Sequence, residues 1–463
     1  MANALPISFI NSLRGIPGFD EHAFLKVHED QQLLTSIRVN PAKASIERLS
    51  HLPKPHAVPW CTNGFQLAER PSFTLDPFFH AGAYYVQEAS SMFLEIVIKT
   101  HAALQEPLKV LDCCAAPGGK STHLQSLISQ ESLLVSNEVI KTRVPILVQN
   151  ITKWGASNVV VTSNDPRDFQ RLGPFFDVVV VDAPCSGSGL FRKDPDAITH
   201  WNESLVEMCA SRQQRILQDI WPCLKPGGLL IYSTCSYSAQ EDEMVLDDLL
   251  TQRDADVLQV PMSNECGIVE TRSPIHGAYG YRFYPHQLQG EGFFIAAIRK
   301  NANTDDVPSE KKKQSSSRNN KSSFLKPEMF SKWLQKDLPF VYLPFMKEAI
   351  ALHQQHVAWL QMLKESCYIK KAGINIGTIA HDDLIPSHEL AMCTHLCQEL
   401  PVMDLDLENA LQYLRLQQFE ALNKNDGKGW KIIRYEACNL GWIKALPNRI
   451  NNYFPRDWRI LNK

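Results

Sequence analysis

No apolar run in the sequence approaches the roughly 18 residues that a membrane-crossing helix requires, so no membrane partner is expected. Residues Met1 to Gly18 lack a basic start followed by an apolar core and a small-residue cleavage site; export is not expected, and the chain reads as cytoplasmic. A charge bias is missing too. The 47 Lys and Arg stand against 50 Asp and Glu, a net −3, so any nucleic-acid surface must come from local clustering. Twelve cysteines are scattered without Cys or His pairs at zinc-ligand spacing, which indicates neither a disulfide framework nor a metal module. Cys393-Thr394-His395-Leu396-Cys397 is read as helical, its two thiols packed inward, and no metal is expected there. There is no internal repeat.

What is present is length and pattern. A chain of 463 residues exceeds one hydrophobic core, so two to four domains are expected. The clearest division is Asn301 to Ser323, rich in Ser, Asn and Lys and almost without apolar residues; it cannot bury enough to fold and reads as a flexible linker, 301–323. Before it, short β-branched runs alternate with helical patterns, as a parallel sheet with crossover helices requires. Leu108–Asp112, Leu133–Glu138, Asn158–Thr162, Phe176–Asp182 and Leu229–Thr234 are predicted as successive strands, and Phe293–Arg299 as a late edge strand. Trp201, Leu205, Met208, Arg212, Ile216 and Ile220 mark one face of a helix that Lys225-Pro226-Gly227-Gly228 stops. The expectation is an open doubly wound α/β sheet. Trp359, Leu360, Leu363 and Tyr368 are read as core rather than as a base-stacking platform.

The first strand runs into Cys113-Cys114-Ala115-Ala116-Pro117-Gly118-Gly119-Lys120, followed by a predicted helix over Ser121–Ser129. Small residues there let a nucleotide-like cofactor approach the backbone. Glu138, at the end of the second strand, suits ribose hydroxyls, and Asp165, past the third, suits an adenine amino group. A phosphate-binding loop would need glycine where Cys114 stands, and a dinucleotide fingerprint would need more than Gly118-Gly119. A tight turn without a ligand leaves Glu138 and Asp165 unexplained. Lys120 is read first as part of the loop's architecture, with contact to a phosphate or the catalytic acid left open.

The fourth strand ends in Asp182-Ala183-Pro184-Cys185-Ser186-Gly187 and the fifth in Ser233-Thr234-Cys235-Ser236. Neighbouring strands lie about 4.8 Å apart, so both thiols should share one cleft at the carboxyl ends, where open α/β sheets gather ligands. Carbon 5 of cytosine is a poor nucleophile; a thiolate adding to carbon 6 pushes electron density onto it. Asp182 is placed to favour the charge-shifted adduct, and the second thiol, or a base beside it, could help remove the proton from carbon 5.

These two segments together resemble the RNA (cytosine-5) methyltransferase family. The resemblance extends through Tyr84–Ser91, Cys114–Lys120, Arg192–Asp196 and Gly292–Ala296, most of residues 35 to 300. It implies a Rossmann-like class I methyltransferase fold with S-adenosylmethionine as cofactor, held by Cys114, Ala115, Ala116, Pro117, Gly118, Gly119, Lys120, Glu138, Asp165 and Asp182. It also implies Cys235 as nucleophile and Cys185 as the residue that helps product release; Asp182 is read as catalytic from its place at the end of the fourth strand. Ser36–Pro41 resembles the family's amino-terminal RNA-binding lobe.

Leu440-Gly441-Trp442-Ile443-Lys444, with Arg449, Asn451, Asn452, Pro455 and Arg456, resembles the PUA-like region of the bacterial 16S rRNA methyltransferases of the RsmF type. The same tail is basic: Lys428, Lys431, Arg434, Lys444, Arg449, Arg456, Arg459 and Lys463 face only Glu436 and Asp457. The resulting organisation is an N-terminal lobe over 1–75, a methyltransferase domain over 76–300, the linker, and a C-terminal α+β region with a PUA-like domain over 324–463. The resemblance implies 16S rRNA, within the 30S subunit, as partner, and 5-methylcytosine in the decoding-site helix as product, formed through a covalent adduct of Cys235 with carbon 6. A tRNA cytosine-5 methyltransferase or a non-catalytic RNA-binding assembly factor are the alternative readings.

Overall fold

The computed structural model describes residues 5–30, 34–262, 266–301, 324–336, 338–380, 383–418 and 427–461. The expected linker, apart from Asn301, and Lys463 lie outside the described residues. The amino-terminal part forms an antiparallel sheet of β1 (Thr35–Val39), β2 (His56–Ala57), β3 (Gly64–Leu67) and β4 (Tyr84–Val86), in the order β2-β3-β1-β4. This sheet continues beyond residue 75, where the sequence reading ends the lobe. Tyr84 pairs with Val39 and buries its ring against Phe73 and Phe79, which fixes β4 to the amino-terminal sheet.

The central strands are β5 (Lys109–Asp112), β6 (Leu133–Asn137), β7 (Val159–Thr162), β8 (Phe176–Asp182) and β9 (Leu224–Thr234), all parallel. They are followed by β10 (Ala255–Leu258), β11 (Val269–Arg272), β12 (Tyr279–Phe283) and β13 (Phe293–Lys300). The C-terminal part adds β14 (Phe340–Phe345), β15 (Glu348–His353), β16 (Ile369–Ala372), β17 (Ile374–Ala380), β18 (Asp383–Pro386), β19 (Val402–Leu405), β20 (Gly429–Tyr435), β21 (Cys438–Leu446) and β22 (Arg449–Asn452). The large sheet has the order β11-β12-β13-β9-β8-β5-β6-β7-β16, with β10 also paired to β13.

Side-chain alternation explains why this sheet is buried on both faces. Val135, Val160, Val179, Val181 and Leu230 meet Ile216, Leu217, Val245 and Leu249 on one face. Val110, Leu134, Val161, Val178 and Ile231 meet Leu94, Val97, Leu124, Leu147 and Ile151 on the other.

Expectations for β13 and for the helix before β9 change. The segment read as an edge strand is interior: β13 bonds β9 on one side, and on the other β12 along Phe293–Ala296 and β10 along Ala297–Lys300. Its Phe294, Ala296 and Ile298 enter one core and its Phe293, Ile295 and Ala297 the other, a two-sided apolar pattern that a solvent-facing edge does not carry. The helix Glu203–Ile220 is capped by Asn202 and buries Val206, Cys209, Ala210, Gln213, Ile216, Leu217 and Ile220. Met208 and Arg212 point outward, so the buried face is rotated from the one expected. This helix ends ahead of Trp221-Pro222 rather than at Lys225–Gly228, which belongs to β9.

The C-terminal part is not a separate body. β16 pairs antiparallel with β7, and the helix His356–Ser366 sends Leu360 and Leu363 into the same core as the sheet. Without β16, the β7 edge would present unpaired backbone groups. Trp359 is partly buried against that core, but Tyr368 is 60% exposed and is not core. The remaining C-terminal strands form two sheets, β14-β15-β17-β18 and β19-β20-β21-β22. Cys393 to Cys397 follow the short helix His388–Met392 as a turn, not a helix; Cys393 is buried and Cys397 half-buried.

Candidate active site

Parallel pairing of β8 with β9 sets Asp182 opposite Ser233 and brings the loops beyond them together. The Cys185 and Cys235 sulfurs lie 2.7 Å apart. Burial, the hydrogen bond to Cys235 and the charge on Cys235 hold the Cys185 thiol well above its ordinary range, the hydrogen bond being the largest cause. Of the two thiols, Cys185 is therefore held protonated.

Glu241, fully buried, fixes the two cysteine loops to each other. Its carboxylate accepts from the Ser186 amide (2.7 Å), the Ser186 hydroxyl (2.5 Å), the Ser236 hydroxyl (2.6 Å) and Gln213 Nε2 (3.1 Å). The Gly189 amide adds a bond to the Cys235 carbonyl at 2.8 Å. Sequence reasoning missed Glu241. The one available signal was the acid run Glu241-Asp242-Glu243 at the start of the helix Glu243–Gln252, which reads as ordinary complementing of a helix N-terminus. Asp242 and Glu243 instead pair with buried Arg282, and Asp242 also accepts from the Thr234 hydroxyl at 2.6 Å.

Asp182 stands 37% exposed at the cleft. It accepts from Ser233 Oγ at 2.8 Å and lies 2.9 Å from Lys120 Nζ. Lys120, read first as loop architecture, therefore extends from the turn after β5 to Asp182, its ammonium also over the Phe293 ring.

The cofactor turn is built by β5 and the helix Gly119–Leu127. Gly118 caps that helix with φ +114°, a conformation L side chains rarely adopt, and an added Cβ would come 3.3 Å from Leu147. The Ala115 amide donates to the Asn137 carbonyl, the Arg143 guanidinium to the Ala116 carbonyl and Asn150 Nδ2 to the Pro117 carbonyl. Cys114 donates no charge to the site, because a hydrogen bond to Cys113 and burial keep its thiol neutral. Asn137 ties three strand ends together: Nδ2 donates to the Cys113 and Asn164 carbonyls, and Oδ1 accepts from Thr162 Oγ1 and the Asn164 amide. Glu138 is buried, accepting from the Ile140 amide at 2.8 Å with Arg143 at 3.6 Å. Beside it Val139 and Ile140 are half exposed, apolar surface for a purine ring. Asp165 accepts from the Arg167 amide and lies 3.4 Å from Arg215, 41% exposed.

Asp112 was read only as a strand end. It is fully buried, its Oδ2 accepts from Ser121 Oγ at 2.6 Å, and its Oδ1 has no hydrogen-bond partner. Burial, with the charges of Asp182 and Glu138, pushes its pKa up to about 7. An orphaned buried carboxylate oxygen beside a glycine turn fits the cationic amino-acid end of an adenosyl sulfonium donor, and Glu138 and Asp165 fit its ribose and adenine.

Comparison with known proteins decides the family. A 16S rRNA methyltransferase RsmB/F model matches residues 100–299, an N-terminal domain model of 16S rRNA methyltransferase RsmF matches 5–89, and a methyltransferase RsmF PUA domain model matches 400–460. Ribosomal RNA small subunit methyltransferase F of Shewanella loihica is 31% identical over 86% of this chain and 83% of its own length; that of Vibrio vulnificus is 31% identical over 92% and 91%. The chain belongs to the RsmF-type 16S rRNA methyltransferases. The donor of this RsmF-type enzyme is S-adenosylmethionine. A methyltransferase homologue of Pyrococcus horikoshii is similar in structure, with TM-score 0.51 and 29% identity over 64% of this chain and all of that one. NSun6 from the same organism, solved with SFG, shares the fold at TM-score 0.54 and 20% identity, over 65% of this chain and 99% of that one.

The basic tail of the RsmF-type chain is only partly available to RNA. Arg434 is paired to Asp404 through two 2.9 Å bonds, and Lys431 is buried. Lys428, Arg449, Arg456 and Arg459 are exposed. Among the described residues no helix is long and apolar enough to cross a membrane.

Proposed function

We propose that this enzyme methylates carbon 5 of one cytosine in the decoding-site helix of 16S rRNA, within the 30S subunit, through a transient bond between Cys235 and carbon 6. The observation that carries the reading is the contact of two thiols at adjacent strand ends, one of them held protonated. The Cys235 thiolate donates its electron pair to carbon 6, and the ring's double-bond electrons become available at carbon 5. Asp182, oriented by Ser233 and Lys120, meets the ring nitrogen or exocyclic amine and favours that redistribution. S-adenosylmethionine, when bound, supplies an electrophilic methyl group. Glu138, Asp165 and the turn from Cys114 to Lys120 would hold it, with Asp112 facing its ammonium.

Once Cys235 is bonded to carbon 6 its sulfur carries no charge and no longer holds the Cys185 proton. Cys185 can then give its proton to solvent and, as a thiolate, take the proton from carbon 5. The electrons of that C–H bond restore the ring double bond as the carbon–sulfur bond breaks, and Cys235 leaves as thiolate. A base inside a duplex cannot meet both groups, so the cytosine enters unstacked.

The test is transfer of labelled methyl to naked 16S RNA and to 30S particles. Cys235→Ala abolishes incorporation, and Cys185→Ala accumulates a covalent protein–RNA complex that survives boiling in detergent. The reverse pattern would exchange the two roles, and full turnover by Cys235→Ala would end the mechanism. Bisulfite mapping of rRNA from a deletion strain identifies the nucleotide.

A further inference from the structure

The carboxyl end of β7 is held from the C-terminal part. Just past the pairing of Ile369 with Thr162, the Ser163 amide donates to the Tyr368 carbonyl at 3.0 Å, and the Tyr368 amide donates to Asn164 Oδ1 at 2.8 Å. The other groups of Asn164 are engaged as well. Its amide and its carbonyl both bond the Asn137 side chain, at 3.0 Å each, and its Nδ2 donates to Asp168 Oδ2 at 2.9 Å. One residue is thus fixed through its main chain and both ends of its side chain, from the end of β6, from the helical turn Pro166–Leu172 and from the C-terminal part. Asn137 also donates to the Cys113 carbonyl at 3.1 Å, so the same set of bonds reaches the cofactor turn.

Asn164 immediately precedes Asp165. Asp165 Oδ1 accepts from the Arg167 amide at 3.1 Å, while Oδ2 meets Arg215 at 3.4 Å, an exposed pair that water and salt screen. Oδ2 therefore has capacity for a ligand donor. An acceptor in a loop beyond a strand adds affinity to the extent that its direction is set before the ligand arrives, because ordering it on binding offsets the bond it makes.

We propose that Asn164 is a positioning residue for the methyl donor: anchored by the main chain of Tyr368, it aims Asp165 at the adenine amino group, and the C-terminal part is thereby a component of the donor site. This rests on the reading of Asp165 as the adenine acceptor.

S-adenosylhomocysteine and S-inosylhomocysteine test it, since they differ along one edge of the purine, where the second carries a carbonyl oxygen in place of the amino group and meets a carboxylate unfavourably. Calorimetry on the full chain finds the adenosyl compound bound about tenfold more tightly by wild type, and the two bound about equally by Asp165→Ala. Asn164→Ala, which keeps the carboxylate but releases its aim, brings the ratio to about threefold or less; a general loss of structure would weaken both compounds alike and leave the ratio unchanged. A second variant addresses the anchor. Tyr368→Pro deletes the amide, and Cys367 before it already has the extended backbone that a residue preceding proline requires (φ −125°, ψ 148°). It lowers the ratio relative to Tyr368→Ala, which loses the exposed ring and keeps the amide. A wild-type ratio in Asn164→Ala, or equal ratios in Tyr368→Pro and Tyr368→Ala, would overturn the proposal, and loss of the preference in Asp165→Ala would then leave the acceptor reading standing. A wild type without preference, or an Asp165→Ala chain that keeps it, would end that reading and the proposal with it.

Discussion

With Asp112 facing the donor's ammonium, as proposed, cofactor affinity is expected to depend on pH in one direction. Its pKa stands at about 7, raised mainly by burial, and its Oδ1 lacks a partner. To face a ligand ammonium as an anion, it must first lose its proton. The sign follows: the folded, unliganded protein holds that proton below pH 7, so binding releases it and weakens as pH falls, tenfold per unit well below the pKa. Between pH 8 and pH 6 the dissociation constant for S-adenosylhomocysteine therefore rises about tenfold. Calorimetry in buffers of different ionisation enthalpy detects close to one proton released per ligand at pH 6 and little at pH 8. Asp112→Asn, which keeps the shape and the bond to Ser121, binds more weakly at pH 8 and loses the dependence. A wild-type affinity flat from pH 6 to pH 8, or a pH profile unaltered in Asp112→Asn, would refute the assignment.

Glu241→Ala removes the acceptor shared by Ser186, Ser236 and Gln213. The expected loss is about 3 kcal/mol, a melting temperature lower by roughly 6–12 °C, and a fall in kcat larger than any change in KM; an unchanged melting temperature contradicts it. On acidification, burial holds His28, His80, His123 and His356 at about 4, mostly neutral when folded, whereas unfolded they take up protons from about pH 6.5. Stability is thus full above pH 6.5 and is lost as pH falls towards 4. Asp112 and Glu291, raised to about 7, and Asp219 and Asp242, also raised, oppose this, but burial lowers His101, His286, His388 and His395 as well, so the urea midpoint drops from pH 7.5 to pH 5, and a constant or rising midpoint speaks against it. A chain ended at residue 323 loses β16 and the helix His356–Ser366, baring the β7 edge and part of the core. Gel filtration should find it aggregated, and a soluble monomer would show the edge to be protected otherwise.

The sequence by itself determined the strands and the residues that stand at their carboxyl ends. Local β-branched runs, small residues at the cofactor turn and two cysteines at strand ends are features a linear pattern preserves, because each depends on neighbours a few positions away. For the same reason it determined the positions of Glu138, Asp165 and Asp182. Only the tertiary structure decided which face of Glu203–Ile220 is buried, that β13 lies inside the sheet, and that the C-terminal part supplies the last strand beside β7. These depend on partners distant in the chain, such as Phe294 opposite Thr234 and Ile369 opposite Thr162. It also decided the surroundings of Asp112 and Glu241: a carboxyl's charge state and partners are set by burial and by what faces it, and neither is written in the residues beside it.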